Sequence, residues 1–413
     1  MNPSTTFNFS GQEKSKDHLI DLLRQGAKNL IHQAVEEELR QLLQEHQDRR
    51  TDEGRRAVVR NGYLPERDFQ TGIGPVKVKI PKVRSLTGVP VKFNSILVPP
   101  YVRKSKSLET TMVWLYLKGI STGEMESALQ ALLGPQSRGF SPTTIANLKQ
   151  CWAEEYNQWK NGLLDDEWVY IWADGIYSGV RGTEEKLCCL VVVGVNQRGE
   201  KKFLAIEDGT RESTQSWREV LLQLKSRGMN SPQLAVGDGA MGFWAALEEV
   251  FPATKHQRCW VHKTSNVLNC LPKAVQPKAK EALHQIWQAE NKRAALKSFG
   301  IFVETYRDKY PKAAECLLKD QEELLTFYDF PAKHWQSIRT TNPIESAFAT
   351  IRHRTVRSKG CLSRSGMLQM IFKLGQAAEK GWRRLRGFND LEKVITGIKF
   401  KDGVEENIDR EAA

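Results

Sequence analysis

Two hydrophobic periods alternate along this chain, and each change of period marks a boundary. From Asp17 to about Gln47, Leu19, Leu22, Leu23, Leu30, Ile31, Val35, Leu39, Leu42 and Leu43 recur at helical spacing with charge on the other side. Gly26 interrupts the pattern, leaving one long helix or two. Residues 51–106 change to short strand-like pieces, such as Val76 to Val83, set between glycines and prolines. Residues 107–162 return to helix in three pieces. The first is Leu108 to Lys118, the second opens on a Ser121/Glu124 capping box, and the third opens at Ser141-Pro142. Three short helices suit a helix-turn-helix-like DNA reader, and equally a small bundle that touches no DNA.

From residue 163 the pattern becomes α/β. Trp168 to Tyr177 is apolar on both faces, as a strand buried inside a sheet is, and it is expected to stop at Asp174-Gly175. Strand two is Leu187 to Val195 and strand three Lys202 to Ile206, giving an antiparallel meander. An amphipathic helix follows from about Thr214 to Arg227, with Trp217, Val220, Leu221 and Leu224 on one face. Then come strand four at Leu234 to Val236, a helix at Met241 to Val250, and strand five at about Thr254 to Trp260. Three antiparallel strands, helix, strand, helix, strand is the order of a ribonuclease-H-like core, here residues 163–262, with right-handed crossovers. Residues 263–339 read as an all-helical insertion into that core. Residues 340–390 read as a helix carrying Glu345 followed by basic helices, and 391–413 as a tail. At the other end, residues 1–16 read as disordered and 17–106 as a mixed helical and β-rich DNA-binding region.

Charge sharpens this picture. The chain has 413 residues, 61 Lys and Arg against 49 Asp and Glu, and a net charge of +12, which points to a polyanionic partner. The excess is local. Between Phe69 and Leu108 there is no acid, while Lys77, Lys79, Lys82, Arg84, Lys92, Arg103, Lys104 and Lys106 are basic. Lysines alternating on a strand also guard a sheet edge, but the absence of acids favours a phosphate-contacting face. A second basic stretch holds Arg352, Arg354, Arg357, Lys359, Arg364, Lys373, Lys380, Arg383, Arg384 and Arg386, with Glu379 its only acid. The seven cysteines are odd in number and scattered, as in a reduced, cytosolic chain. The longest apolar run, Leu187 to Val195, is too short to span a bilayer, and the first sixteen residues lack a signal-peptide core.

The chemistry rests on carboxylates. Asp174 and Asp238 each end an apolar strand and precede glycine. Asp-Gly is also the signature of a turn. In the expected topology strands one and four are neighbours, so both carboxylates reach one rim, where they repel unless a cation lies between them. Mg²⁺, which takes oxygen ligands, is the expected cation, with Mn²⁺ as a substitute, and two such ions serve phosphoryl transfer. Glu345 is a candidate third ligand. Standing alone it completes a capping box with Asn342, behind Pro343. Asp165 and Asp166 read as loop, and Asp208 lies on an outer strand. Cys259 and His262 have Cys-x-x-His spacing without a second half-site, which favours a structural or positioning role over zinc. Trp217 reads as core, with base stacking as the alternative.

Three runs, IWADGIYSGVR, LAVGDGAMGFWAALEEVFPATKHQRCWVHKTSNVLNCLP and RTTNPIESAFATIRHRT, resemble the prokaryotic Mutator-type insertion-sequence transposases, a family of DDE transposases. The resemblance runs from near Gly26 through Gly381-Trp382 and includes the Cys259/His262 signature. It implies that Asp174, Asp238 and Glu345 are the metal-binding catalytic triad, and that Arg352, seven residues after Glu345, touches phosphate. It departs at Ser178-Gly179-Val180-Arg181. The resulting expectation is a transposase acting near the nucleoid of a prokaryotic cytoplasm. It binds double-stranded DNA at terminal inverted repeats and at the target, cuts and joins strands with two Mg²⁺, and works as a homodimer or larger synaptic assembly. The rivals are a derived repeat-binding protein that no longer cuts, and a ribonuclease-H-like nuclease.

Overall fold

A strand with no polar face needs cover on both sides, and β5 (Trp168–Gly179) obtains it at the centre of a five-stranded sheet. The computed structural model describes residues 18–121, 123–135, 137, 142–179, 186–209, 211–239, 241–345, 348, 349, 351 and 364–406. Arg352, Arg354, Arg357, Lys359 and Arg181, and the expectation for residues 1–16, fall outside them.

The chain divides into two compact units, Met1–Ala146 and Asn147–Ala413. In the first, α1 (His18–Glu45) runs unbroken through Gly26. Val35, with Ala27 and Ile31 beside it, packs on Phe69, Val76, Val78, Ile80, Val98 and Phe93. Hairpin β2 (Arg67–Thr71) and β3 (Gly74–Val78) supplies much of that core. The continuous strand expected from Val76 to Val83 is in fact two. β4 (Pro81–Ser85) starts afresh at a proline, which has no N–H to donate, and pairs with β1 (Val58–Tyr63) in a separate sheet. Val76, Val78 and Ile80 point inward, leaving Lys77, Lys79, Lys82, Arg84 and Arg103 exposed. Lys104 is half-buried, and burial lowers its pKa, so it fits the phosphate-facing set less well than the others. α2 (Lys106–Leu117) and α3 (Met125–Leu133) follow. Ser121 and Glu124 form the expected capping box: the Ser121 N–H donates to Glu124 Oε2 and the Glu124 N–H to Ser121 Oγ, both at 3.2 Å. The boundary between the units falls inside α4 (Pro142–Asn161).

The second unit holds the large sheet, ordered β7-β6-β5-β8-β9. β6 (Lys186–Asn196) and β7 (Lys201–Gly209) are antiparallel, whereas β8 (Leu234–Gly237) and β9 (Lys255–Arg258) run parallel to β5. Helices α5 (Thr214–Ser226) and α6 (Met241–Val250) cover one face, packing Trp217, Val220, Leu221, Phe243 and Leu247 onto Ile171, Ala173, Leu190, Val192 and Ala235. Tyr170 and Trp172 look the other way. There the Tyr170 hydroxyl meets His334 Nδ1 at 2.9 Å, and Trp172 Nε1 donates to the Ser337 carbonyl at 3.1 Å. Trp217 is buried core, as its helical spacing indicates.

Two boundaries differ from expectation in ways that matter. β5 does not stop at Asp174. It continues to Gly179 because β6 remains beside it, Gly179 pairing with Lys186. Only the parallel side ends there, since Ala173 pairs with Gly237, the last residue of β8. β9 ends at Arg258 rather than Trp260, where α7 (Trp260–Asn269) begins. The helices that follow are α8 (Gln276–Trp287), α9 (Lys292–Tyr306), α10 (Pro311–Leu318), α11 (Gln321–Leu325) and α12 (Trp335–Ile338). A further helical segment at 342–345 is α13, after which come α14 (Arg364–Glu379) and α15 (Leu391–Ile395).

Candidate active site

The parallel ladder explains why two aspartates distant in sequence meet. Ala173 and Gly237 are partners in register, so Asp174, still within β5, and Asp238, just past the end of β8, follow side by side. Asp174 is buried, and its Oδ1 accepts the Gly175 N–H at 2.8 Å. Its pKa is pushed up to about 8, first by burial and then by the charges of Asp238, Glu212 and Glu345.

Glu345 arrives through a chain of contacts that starts on β9. The Cys259 N–H donates to the Gly237 carbonyl at 2.8 Å, and the Trp260 N–H to the Arg339 carbonyl at 3.0 Å. Cys259 is buried, and its Sγ accepts the Thr341 N–H at 3.3 Å while also meeting Thr341 Oγ1 at 3.3 Å. The Thr341 carbonyl in turn accepts the N–H groups of Ile344 and Glu345, each at 3.0 Å. Thr341 therefore caps the helix, one residue before the expected Asn342 cap. Glu345 Oε1 lies 2.9 Å from His262 Nε2, one turn along α7 from Cys259. One ligand atom each from Asp174, His262 and Glu345 lie within 4.8 Å of one another. The Cys-x-x-His spacing thus places one residue under the Glu345 helix and the other against its carboxylate.

A salt-bridge cluster fixes the same junction from below. Asp320 Oδ2 receives Arg258 Nε at 3.0 Å and Lys263 Nζ at 2.5 Å, and both cations are buried. Arg258 ends β9 and Lys263 follows His262, so one carboxylate before α11 holds both sides of the Cys259 corner. Asp320→Ala leaves two buried cations without their shared anion and is expected to cost about 3–5 kcal/mol. Equilibrium denaturation with urea measures this, and a loss below about 1 kcal/mol contradicts the role.

The other acids divide clearly. Asp166 is paired with Arg198 and Lys202, and Asp208 with Arg364 through two hydrogen bonds, so neither belongs to the cluster. Within the basic stretch, Arg364 is thus paired with Asp208, and Lys373 with Glu155. Lys380, Arg383, Arg384 and Arg386 are exposed. Glu212 was missed in the sequence, where it stands just before the Ser213 cap of α5. Its charge acts on Asp174, and its own pKa is raised by burial first and then by Asp238.

The donor set fits a hard divalent cation. Several carboxylates converge on buried Asp174, whose pKa is displaced first by burial and then by their repulsion, and a bound cation relieves both. A pH dependence follows. In the unfolded chain Asp174 ionises near pH 4, whereas in the fold it keeps its proton up to about 8. The folded state binds the extra proton in this window, so this group's stabilising contribution is lost as pH rises through it. Thermal melts in a chelator are expected to show a smaller fall in Tm between pH 5 and pH 8 for Asp174→Asn than for the unsubstituted protein. An equal fall in both contradicts the assignment.

Comparison with known proteins agrees over most of the chain. Residues 4–384 match the family described as Transposase, Mutator family. The chain is 49% identical over 286 residues to the transposase for insertion sequence element IST2 of Acidithiobacillus ferrooxidans, covering 69% of this chain and 97% of that protein. It is 45% identical over 290 residues to the transposase for insertion sequence element IS6120 of Mycolicibacterium smegmatis, covering 70% and 90%. Identity is 31% over 297 residues to the transposase for insertion sequence element IS905 of Lactococcus lactis, covering 72% and 73%.

Proposed function

The chain belongs to the Mutator family of transposases, and from that premise we propose that it binds the terminal inverted repeats of its own element and cuts and joins DNA there. The supporting observation is the approach of Asp174, His262 and Glu345 within 4.8 Å, with Asp238 just past the end of the neighbouring strand. In this reading the sheet is a ribonuclease-H-like core and the helices between β9 and α13 are its insertion. Asp174, Asp238 and Glu345 hold two Mg²⁺. When bound, such ions activate an attacking oxygen and stabilise a leaving one.

The chain's own residues prepare this. Burial of Asp174 removes competing water, and the 2.9 Å bond to His262 fixes which way Glu345 faces. In the first step water adds to the phosphorus at the element's end, the 3′ oxygen leaves and takes a proton, and a 3′ hydroxyl results. In the second, that hydroxyl loses its proton and adds to a target phosphorus, whose own 3′ oxygen leaves. No Ser or Tyr nucleophile takes part. The exposed Lys77, Lys79, Lys82, Arg84 and Arg103 contact phosphates, as do Arg352, Arg354, Arg357 and Lys359. Two ends must be held together, so a dimer or larger assembly is required. No helix among the described residues is long and apolar enough to cross a membrane.

The test is cleavage of a duplex carrying the element's terminal repeat, in Mg²⁺, beside a scrambled duplex. A nick at the repeat boundary leaving a 3′ hydroxyl is expected. Equal cutting of the scrambled duplex points to a general nuclease, and binding without cutting to a derived repeat-binding protein.

A further inference from the structure

We infer that Glu212 is a fourth carboxylate of the cation site, supplying a ligand oxygen beside Asp174 and Asp238. The inference rests on the divalent-cation reading above and adds a residue to it.

The observations are geometric. Glu212 lies between β7 and α5, and its carboxylate rests against Gly175, the residue after Asp174. A Cβ at position 175 would overlap Glu212 Oε1, Cδ and Cγ. Its backbone is held equally closely from the other side. A Cβ at position 242 would overlap the Glu212 carbonyl oxygen and the Ser213 backbone. Two glycines therefore admit this one side chain to the rim. Tyr177 hydrogen-bonds to the carboxylate, and the charges of Asp238 and His262 act on it. Glu212 Oε2 is shielded from solvent and has no hydrogen-bond partner among the described residues.

A buried carboxylate oxygen without a partner is costly, and an apolar side chain would fill the same space without that cost. Neither Tyr177 nor Gly175 serves Oε2. Asp174 and Asp238 bring further negative charge and make matters worse. A divalent cation held between the aspartates and Glu212 satisfies the orphaned oxygen and offsets the repulsion together. The fold carries Asp174 on β5, Asp238 after β8, Glu345 on α13 and Glu212 after β7, so the site collects one acid from each of four segments.

Mn²⁺ binding to the full chain without DNA, followed by calorimetry or by loss of the free Mn²⁺ spin-resonance signal, tests this. The proteins are the unsubstituted chain, Glu212→Gln and Glu345→Gln. We expect Mn²⁺ affinity to fall at least tenfold in each variant, while the metal-free Tm of Glu212→Gln stays level or rises. If Glu345→Gln weakens Mn²⁺ and Glu212→Gln titrates like the unsubstituted protein, the fourth ligand is wrong and the triad stands. If the unsubstituted protein binds no Mn²⁺, or Glu345→Gln leaves binding unchanged, the underlying reading fails and this one with it. Glu212→Asp keeps the charge but withdraws it by one methylene, and decides the matter if Glu212→Gln does not fold. Reduced affinity supports the ligand role, and unchanged affinity overturns it.

Discussion

Asp174→Asn and Glu345→Gln are each expected to reduce strand cleavage at the element's end by on the order of a thousandfold or more, equivalent to several kcal/mol of transition-state stabilisation. Both substitutions keep shape and remove charge. Asp174 is buried beside three other acids, so its neutral analogue relieves repulsion, and the folded protein is expected to be as stable as before or more so. Lost activity with retained stability separates a ligand from a structural residue. Glu345→Gln keeps a partner for His262 while giving up the negative charge. Binding to repeat DNA is expected to survive in both, because phosphate contact by the basic faces does not use these carboxylates. Cleavage assays with radiolabelled ends and mobility shifts of the same duplex measure the two properties together. Activity within tenfold of the unsubstituted protein removes the residue from the site.

The second large effect falls on a residue with no chemistry. Gly239 has φ of +89°, a conformation that only glycine adopts freely, and it follows Asp238. A Cβ there would overlap the Arg258 guanidinium. Gly239→Ala must therefore strain the backbone, at about 1–3 kcal/mol, and push Arg258 off Asp320, where a broken buried pair costs about 3–5 kcal/mol. Part of the second cost is recovered by relaxation, so about 3–5 kcal/mol in total is expected. Cleavage should fall at least tenfold in whatever protein remains folded. Gly300→Ala is the control, since nothing lies within 4 Å of its Cβ and it sits in α9. It is expected to be neutral or to gain up to about 1 kcal/mol. Urea denaturation of the two variants side by side gives the comparison, and equal stabilities contradict the account of Gly239.

The sheet order could be read from sequence because strand and helix periods differ and because Trp168–Ala173 of β5, Leu187–Val195 of β6 and all of β8 carry apolar residues on both faces. Helix α6 falls where the pattern puts it. The error at Asp174 has a simple cause. Gly175 looks like a stop, but a glycine inside a strand also marks close approach, and here the approaching group is Glu212. Nothing in the spacing of Glu212 sets it apart from a residue preceding a cap. A carboxylate just after the third strand of a rim-forming sheet was the available signal. The role of Cys259 was similarly hidden, because sulfur accepting a backbone N–H from residue 341 is a tertiary fact. The basic tail read as uniform because a string of arginines does not reveal that Asp208 and Glu155 lie opposite two of its members. Ion pairs between distant segments follow from topology, and topology came from apolar residues.

Anomalous diffraction from crystals grown with Mn²⁺ examines the central claim at atomic scale. The account predicts a peak about 2.1 Å from carboxylate oxygens of both Asp174 and Glu345, with Asp238 reaching the same or an adjacent peak. Mn²⁺ bound elsewhere, with Glu345 turned away from Asp174 in an ordered site, would contradict it.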